Sequence, residues 1–377
     1  MYEIVHPNQY PHTNRLVDLY KNDKITLAIQ LDTPLKDVIH SNIFNLPFDW
    51  HIAQVKLLQQ QTINGRQFIN THKERQNHVS YINNATLLGG LVIDSNSQIN
   101  HDTAYHSWGR EVDTDHFLSK NKRVINEAVF YLGEIKEYFH WILDCLSAIY
   151  LWKKFGLNRE TKIFVANITD FKIETLRIYG IPKEMIVGDK EGHVSFKHIF
   201  IPSTIGGGQA WSTPLYLPDF HRHSTAYITP EKSRKKYYIS RSKTPRRHLN
   251  NEKQVEQLLV NNGFEIIHLE EYSFKEQISL MKSASIIVAP HGAGLTNIVY
   301  CLPKTIIIEL FCEKYLNCCF YKLSSLCDHI YIPLISSSCH KPKKEVDNFR
   351  WAISMNWDVD ILQLKQLIEH TIKFIDQ

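Results

Sequence analysis

Residues 281–310, MKSASIIVAPHGAGLTNIVYCLPKTIIIEL, constrain this chain more than any other stretch. An apolar β-branched run at 285–289 is broken at 290–294, continues with helical spacing over 295–302 and returns to an apolar run at 305–310. The spacing predicts strand, glycine turn, helix and second strand in immediate succession. Backbone N–H groups around Gly292, Ala293 and Gly294 then have no intrahelical acceptor, and the helix dipole adds partial positive charge beside them. A diphosphate fits such a turn, with His291, Thr296 and Asn297 as the adjoining polar side chains. The alternative is a tight turn with capping residues and no ligand. There is no GxGxxG and no acid at the right distance on a following strand, so the nicotinamide dinucleotide fingerprint is not met.

With 377 residues, the chain suits two domains. Hydrophobic content of 43% and charged content of 22% place it among globular proteins rather than disordered or fibrous ones. No stretch reaches the roughly 18 uninterrupted apolar residues of a membrane span, and MYEIVHPNQYPHTNRL has neither a basic leader nor an apolar segment. The expected location is cytoplasmic, with peripheral contact at the inner membrane face. Seven cysteines without a repeated CxxC read as reduced thiols. Cys318, Cys319, Cys327, Cys339 and His340 do not have the spacing of a zinc site, because two of the cysteines are adjacent. A net charge of +4 does not announce a nucleic-acid binder. The basic run KSRKKYYISRSKTPRRH at 232–248 has the composition of an RNA surface, yet a strand interrupts it, which favours a pocket for one anion.

Residues 1–84 are polar and read as an N-terminal extension. From 85 to 215, ATLLGGLVIDSNSQI predicts a hairpin, and INEAVFYLGEIKEYFHWILDCLSAIYLWKKFGL a strand leading into a long helix. TKIFVA, ETLRIYGI, EMIVGD and VSFKHIFIPS continue an alternation of strand and helix. This span reads as a first Rossmann-like domain. The triple glycine at 206–208 marks a hinge, not a phosphate loop, because GK[ST] is missing, and 216–234 reads as linker. A second Rossmann-like domain, 235–340, opens with KKYYISR and runs through NNEKQVEQLLVNNGF, EIIHLE and SFKEQISLMKSA into the segment above. Ser273 and Glu276 form a capping-box signature. Residues 341–377 end in an amphipathic helix.

Arg241 closes the ISR strand and is followed by Lys243, Arg246 and Arg247 before Asn251 and Glu252 open a helix. Arginine forks there suit a diphosphate clamp; the plain alternative is a solvated basic loop. Glu309 is expected at the end of the next strand, either accepting from ribose hydroxyls or as a surface acid. In the first domain, EYFHWILDCL places His140 and Asp144 four apart on one helix face. A carboxylate that holds one imidazole nitrogen fixes the tautomer and raises the basicity of the other, as a general base requires; a buried, satisfied histidine is the alternative. Asp113 with Asp115, and Asp358 with Asp360, are paired acids of the metal-holding kind, but neither pair follows an apolar strand and both are set aside.

Taken together, FHWILDCLSAIYLW, YISRSKTPRRHLNNE and GFEIIHLEEYSFKEQISLMKSASIIVAPHGAGLTNIVYCLPKTIIIEL, in this order and at these intervals, resemble glycosyltransferase family 61. The similarity runs from about 85 to 310 and is most specific over 238–310. The resemblance implies an α/β protein with two doubly wound domains facing across a cleft, the glycosyltransferase B type, whose N-terminal domain serves the acceptor and C-terminal domain the nucleotide sugar. It implies an inverting enzyme without an active-site metal or other cofactor, whose partners are a nucleotide-sugar donor, a UDP-sugar, and a glycan acceptor, with no nucleic acid. By position, Arg241, Lys243, Arg247, Asn251, His291, Gly292, Ala293, Gly294, Thr296, Asn297 and Glu309 would be donor-side residues, and His140 with Asp144 catalytic. Tyr138 and Phe139 stand where members often carry glycine or asparagine ahead of the His-Trp pair. A non-catalytic nucleotide- or glycan-binding protein of the same fold is the competing reading.

Overall fold

A computed structural model describes residues 3–5, 27–30, 37–38, 46–60, 62–63, 66–67, 72–73, 78–100, 102–103, 123–159, 161–190, 193–203, 216–230, 233–244, 247–337 and 355–375. Asp113, Asp115, the 206–208 glycines, Lys232, Arg246, Cys339 and His340 lie outside the described residues. The chain is mixed α/β with two main sheets and separates into two compact units, Met1–Asp37 with Lys73–Ser224, and Val38–His72 with Thr225–Gln377.

The first unit holds a nine-stranded sheet. Its strands are β1 (Glu3–Val5), β2 (Leu27–Gln30), β3 (His78–Leu88), β4 (Leu91–Ile93), β5 (Gln98–Asn100), β6 (Arg123–Tyr131), β7 (Lys162–Ala166), β8 (Ile186–Asp189) and β9 (His193–Pro202). The order is β1-β5-β4-β3-β9-β6-β7-β8, with β2 also on β3. Only β9, β6, β7 and β8 form a continuous parallel set, because β3 joins β9 antiparallel and turns back into β4. The unit is therefore a parallel α/β half extended by an antiparallel meander, rather than the purely doubly wound sheet expected. The hairpin read from ATLLGGLVI is present, and Gly89 (φ 53°) with Gly90 (φ 88°) supplies the left-handed pair that a tight I′ turn requires. Ile82, Leu87, Val129, Phe164, Phe196 and Ile199 fill the core between the strands.

The predicted long helix after β6 is composite. An α turn at Tyr138–His140 passes into a π segment at Trp141–Cys145, a 3₁₀ turn at Leu146–Ala148 and an α segment at Ile149–Lys154. Inside the span expected as linker, Leu217–Ser224 is helical. His221 anchors it, with Nε2 2.9 Å from Ser147 Oγ and Nδ1 against the Tyr179 hydroxyl, one nitrogen donating and the other accepting. Burial pulls this imidazole down to about 3, so it stays neutral inside the fold.

The second unit is simpler. Strands β10 (Lys235–Ile239), β11 (Phe264–Ile267), β12 (Ala284–Pro290), β13 (Ile306–Cys312) and β14 (Ile330–Ser336) pair in the order β11-β10-β12-β13-β14, all parallel. That is the 2-1-3-4-5 order of a doubly wound sheet, and β12 and β13 are buried almost throughout because both faces are covered. Crossovers run through α4 (Glu252–Asn261), α5 (Phe274–Ser283), a 3₁₀ helix (Ala293–Tyr300) and α6 (Cys319–Leu326); the helices number on from α1 (Asp49–Gln60), α2 (Asp170–Ile178) and α3 (Leu217–Ser224). The capping box on α5 is formed.

The span read as an N-terminal extension supplies α1 to this second unit. β14 is an edge strand, and Gln54 closes its exposed backbone, donating to Ile335 O at 2.9 Å and accepting from Ile335 N at 3.1 Å. His51 donates from Nε2 to Pro333 O at 3.1 Å while Nδ1 accepts from Leu46 N. A side-chain amide and an imidazole thus stand in for a sixth strand and blunt an edge that would otherwise pair with another chain. Cys312 is disulfide-bonded, which corrects the reading of all the cysteines as reduced thiols; Cys145, Cys301, Cys318, Cys319 and Cys327 are free.

Candidate active site

In the second unit the winding reverses between β10 and β12, so the segments leaving these adjacent strands flank the switch point where open α/β sheets bind ligands. Arg241 follows β10 and Gly292 follows β12. A Cβ built on Gly292 would lie 2.9 Å from Arg241 Cζ, so the glycine makes room for the guanidinium. Its φ of 173° is ordinary extended backbone, and close approach is the whole reason for a glycine there. Arg241 Nε donates to the carbonyl of Arg247 at 3.2 Å, and the Arg247 guanidinium lies over the Tyr315 ring at 5.7 Å. Burial, and then the charge of Arg247, pull Arg241 down to about 10 against the opposing pull of Glu252 and Glu270. It still carries its charge at neutral pH. Two guanidiniums are therefore held close enough to oppose one another, an arrangement that an anion relieves.

Glu252 builds this loop, and the sequence reading did not assign it a role. Its Oε1 accepts from Tyr238 Oη (2.8 Å), Ser240 Oγ (2.8 Å) and Arg241 N (3.2 Å), and its Oε2 from Leu249 N (3.3 Å). One buried carboxylate thus ties both ends of the basic loop to the first turn of α4. The signal was present in the sequence as an acid at a helix N-terminus beside Arg241.

The turn itself places its residues in distinct roles. His291 is 8% exposed; its Nδ1 meets Glu309 Oε1 at 2.5 Å, and its ring stacks on Phe311. Glu309 stands in the middle of β13, fully buried, with Oε2 accepting from Tyr331 Oη at 2.5 Å. This corrects the expectation of a strand-end acid facing ribose hydroxyls: both oxygens are engaged inside the sheet, and Glu309 acts on the turn by orienting His291. Gly292 is buried and Ala293 half-buried at the head of the 3₁₀ helix. Gly294 admits Ile239 Cγ2 and Leu269 Cδ1, each 3.2 Å from where a Cβ would sit, so it seats the helix against β10. Thr296 Oγ1 is buried and, among the described residues, has no hydrogen-bond partner. Asn297 donates to Gln277 Oε1 at 2.8 Å, and Gln277 in turn donates to Leu269 O and Tyr272 O, so this side chain braces the helix on α5.

Two other residues of the basic loop are engaged elsewhere. Lys243 forms an exposed ion pair with Glu271. The Asn251 amide pairs with the backbone of Val359 in both directions, at 2.8 and 3.0 Å.

In the first unit, His140 Nδ1 meets Asp144 Oδ2 at 2.7 Å, with side chains 14% and 1% exposed. Burial alone would lower the imidazole, but the hydrogen bond and charge of Asp144, helped by Glu137, outweigh it and raise His140 above its ordinary 6.5. The pair sits where the α turn passes into the π segment, an irregularity frequent at functional sites. A carboxylate on Nδ1 leaves Nε2 as the basic nitrogen.

The family model described as Glycosyltransferase 61 matches residues 138–308, which takes in both the His140–Asp144 pair and the glycine turn. A fly protein, the EGF domain-specific O-linked N-acetylglucosamine transferase of Drosophila melanogaster, is 27% identical over 159 residues, covering 37% of this chain. The chain matches only 31% of that protein's length. Over residues 138–308, a little under half of the chain, the sequence is similar to glycosyltransferase family 61.

Proposed function

We propose that the protein is an inverting glycosyltransferase of the B type that moves a sugar from a UDP-sugar to a hydroxyl of a glycan acceptor, without an active-site metal, in synthesis of a surface polysaccharide or glycoconjugate at the cytoplasmic side of a membrane. What carries the reading is Arg241 seated on Gly292 at the switch point of an all-parallel sheet, with Arg247 beside it. Departure of a nucleoside diphosphate places negative charge on its terminal phosphate oxygens. Fixed guanidiniums and the N–H groups of the 292–297 turn stabilise that charge without reorganising. His140 takes the acceptor hydroxyl proton at Nε2 as the acceptor oxygen forms its bond to the anomeric carbon, and Asp144 balances the imidazolium that results. The fly relative transfers N-acetylglucosamine, as its name states; a UDP-linked sugar is accordingly the first donor class to test.

A thermal-shift panel of UDP, GDP, CDP and ADP with their sugar conjugates decides the donor. A nucleotide present at about a hundred times its dissociation constant stabilises the fold by about 2.7 kcal/mol. The expected result is a rise in Tm with UDP and UDP-sugars that is lost in Arg241→Ala and unchanged by EDTA. Absence of any shift across the panel overturns the donor assignment. The competing reading, a binding protein without chemistry, predicts the shift but neither transfer nor donor hydrolysis.

A further inference from the structure

The basic loop is gripped by a segment from near the end of the chain. Residues 355–359, MNWDV, run in register beside 248–251, each rung joining positions 108 apart. Asn356 Nδ2 meets His248 Nε2 at 2.7 Å. Leu249 and Trp357 form a parallel bridge, and Asn250 N donates to Trp357 O at 2.9 Å. Asn250 Nδ2 reaches Asp358 Oδ2 at 3.5 Å, and the Asn251 amide closes the ladder on Val359 by donating to its O and accepting from its N. Burial alternates along the segment with the period of a strand: Met355, Trp357 and Val359 join the core beside Leu249, whereas Asn356 and Asp358 are half-buried. Asp360 then caps α7 (Ile361–Ile375), accepting on Oδ1 from Leu362 N and Gln363 N, and Leu364, Leu367 and Ile368 seat that helix in the same core. The segment is therefore anchored independently of the loop it holds.

Asn251 stands at the N-cap of α4, where an asparagine ordinarily turns its side-chain oxygen onto the first N–H groups of the helix. Here it makes no such cap, and both ends of its amide go to Val359. Arg247, one residue before the ladder begins, has φ 55°, the left-handed region that disfavours a side chain. A residue stays in such a conformation where its surroundings over-determine it, and these residues cluster at ligand clamps. Arg247 is fixed on one side by Arg241 Nε on its carbonyl, and on the other by the ladder that starts at His248. The outcome is a guanidinium over the Tyr315 ring and beside Arg241, whose charge it opposes.

We infer that residues 355–359 are a strap that positions Arg247 for an anionic ligand, with Asn251 as a positioning residue rather than a ligand contact. That the anion is a nucleoside diphosphate rests on the transferase reading proposed above. An anion that needs Arg247 in place must, by linkage, tighten the ladder in return.

The test is a double-mutant cycle on the full chain, with UDP and inorganic pyrophosphate affinities measured by calorimetry and amide exchange followed by mass spectrometry. Arg247→Ala weakens both ligands about tenfold, the loss expected of one charged contact. Asn251→Ala weakens them by up to about that factor alone but by less than about twofold on top of Arg247→Ala, because two changes that act through one contact do not add. UDP slows exchange over 247–251 and 355–359 in the wild type, and Asn251→Ala speeds it. Asn356→Ala removes a half-buried rung of the same ladder and repeats the pattern, which keeps the test decisive if Asn251→Ala unfolds. Equal losses from Asn251→Ala with and without the Arg247 guanidinium would make Asn251 a direct contact and overturn the inference, as would full affinity in both strap variants. Pyrophosphate binding without UDP binding sinks the nucleotide-sugar reading and leaves the strap standing. If neither ligand binds, the donor reading falls and the strap falls with it.

Discussion

The two units present the same topological opening with opposite charge. In each, adjacent parallel strands at which the winding reverses send their C-terminal segments around a site: β6 and β9 in the first, β10 and β12 in the second. The first is lined by carboxylates, Asp102 and Asp144, each paired with a histidine. The second is lined by guanidiniums, Arg241 against Gly292 and Arg247 over Tyr315. Topology supplies the place and side chains choose the ligand. The two sites thus differ in charge, and under the proposed function that contrast is one that substitutions can break.

The largest effect is expected at His140. His140→Ala should lower transfer by about 10²–10⁴-fold, the usual share of a general base, while UDP affinity by calorimetry stays at the wild-type value; equal loss of both quantities would dissolve the division between the units. Arg241→Ala should act the other way round. Removing a guanidinium from a diphosphate weakens UDP by about a hundredfold, read by the same calorimetry. Gly292→Ala sharpens the point. Its backbone accepts alanine, yet the new methyl displaces the Arg241 guanidinium, so UDP binding should fall about tenfold, the effect of one weakened charged contact, with thermal stability nearly preserved. If UDP affinity were instead unchanged, the guanidinium would not be the diphosphate contact.

Much of the second site was legible in the sequence because it is local. Strand, glycine turn and helix follow one another within 30 residues at 281–310, and the capping box on α5 is a four-residue pattern. What was not legible depends on distant partners. Glu309 reads as a strand-end acid until β14 brings Tyr331 to its other oxygen. β14 itself, IYIPLIS, carries a proline that demotes a strand reading, and that proline is tolerated because β14 is an edge covered by α1 from 281–282 residues upstream. In the first site, the four-residue spacing of His140 and Asp144 was visible, but His78, Asp102 and Ser203 come from separate segments that only the folded sheet gathers. The antiparallel meander was read as one hairpin because a period-2 pattern does not say which strand lies on its far side.

A subtler effect is expected from Asp144→Asn. Asp144 raises His140, so the neutral, base-competent imidazole appears only as pH climbs through a value above 6.5. With the carboxylate gone, the acid limb of the transfer rate should move to lower pH, and the plateau should fall because the imidazolium formed in the transition state loses its counter-charge. Stability follows the opposite sense. A folded-state imidazole raised above its unfolded value contributes stability that is complete below about 6.5 and is lost as pH rises through the folded value. Denaturant melts of wild type and variant should therefore differ most in mild acid and converge toward alkaline pH. A limb that stayed in place would mean that His140 is not the group titrating in the reaction.

The smallest effect marks the boundary of the cationic site. Lys243 belongs to the same basic run as Arg241 and Arg247, and resemblance placed it on the donor side. Its ammonium nevertheless pairs with Glu271 at the surface, both side chains about half exposed. Exposed pairs contribute little to stability and weaken in salt. Lys243→Ala should thus shift Tm by little and reduce UDP affinity less than Gly292→Ala does, with the residual effect vanishing at high ionic strength as a distant charge would. A loss comparable to that of Arg241→Ala, persisting in salt, would show that Lys243 leaves Glu271 for the diphosphate when donor binds, and would extend the cationic rim to the far side of the basic loop.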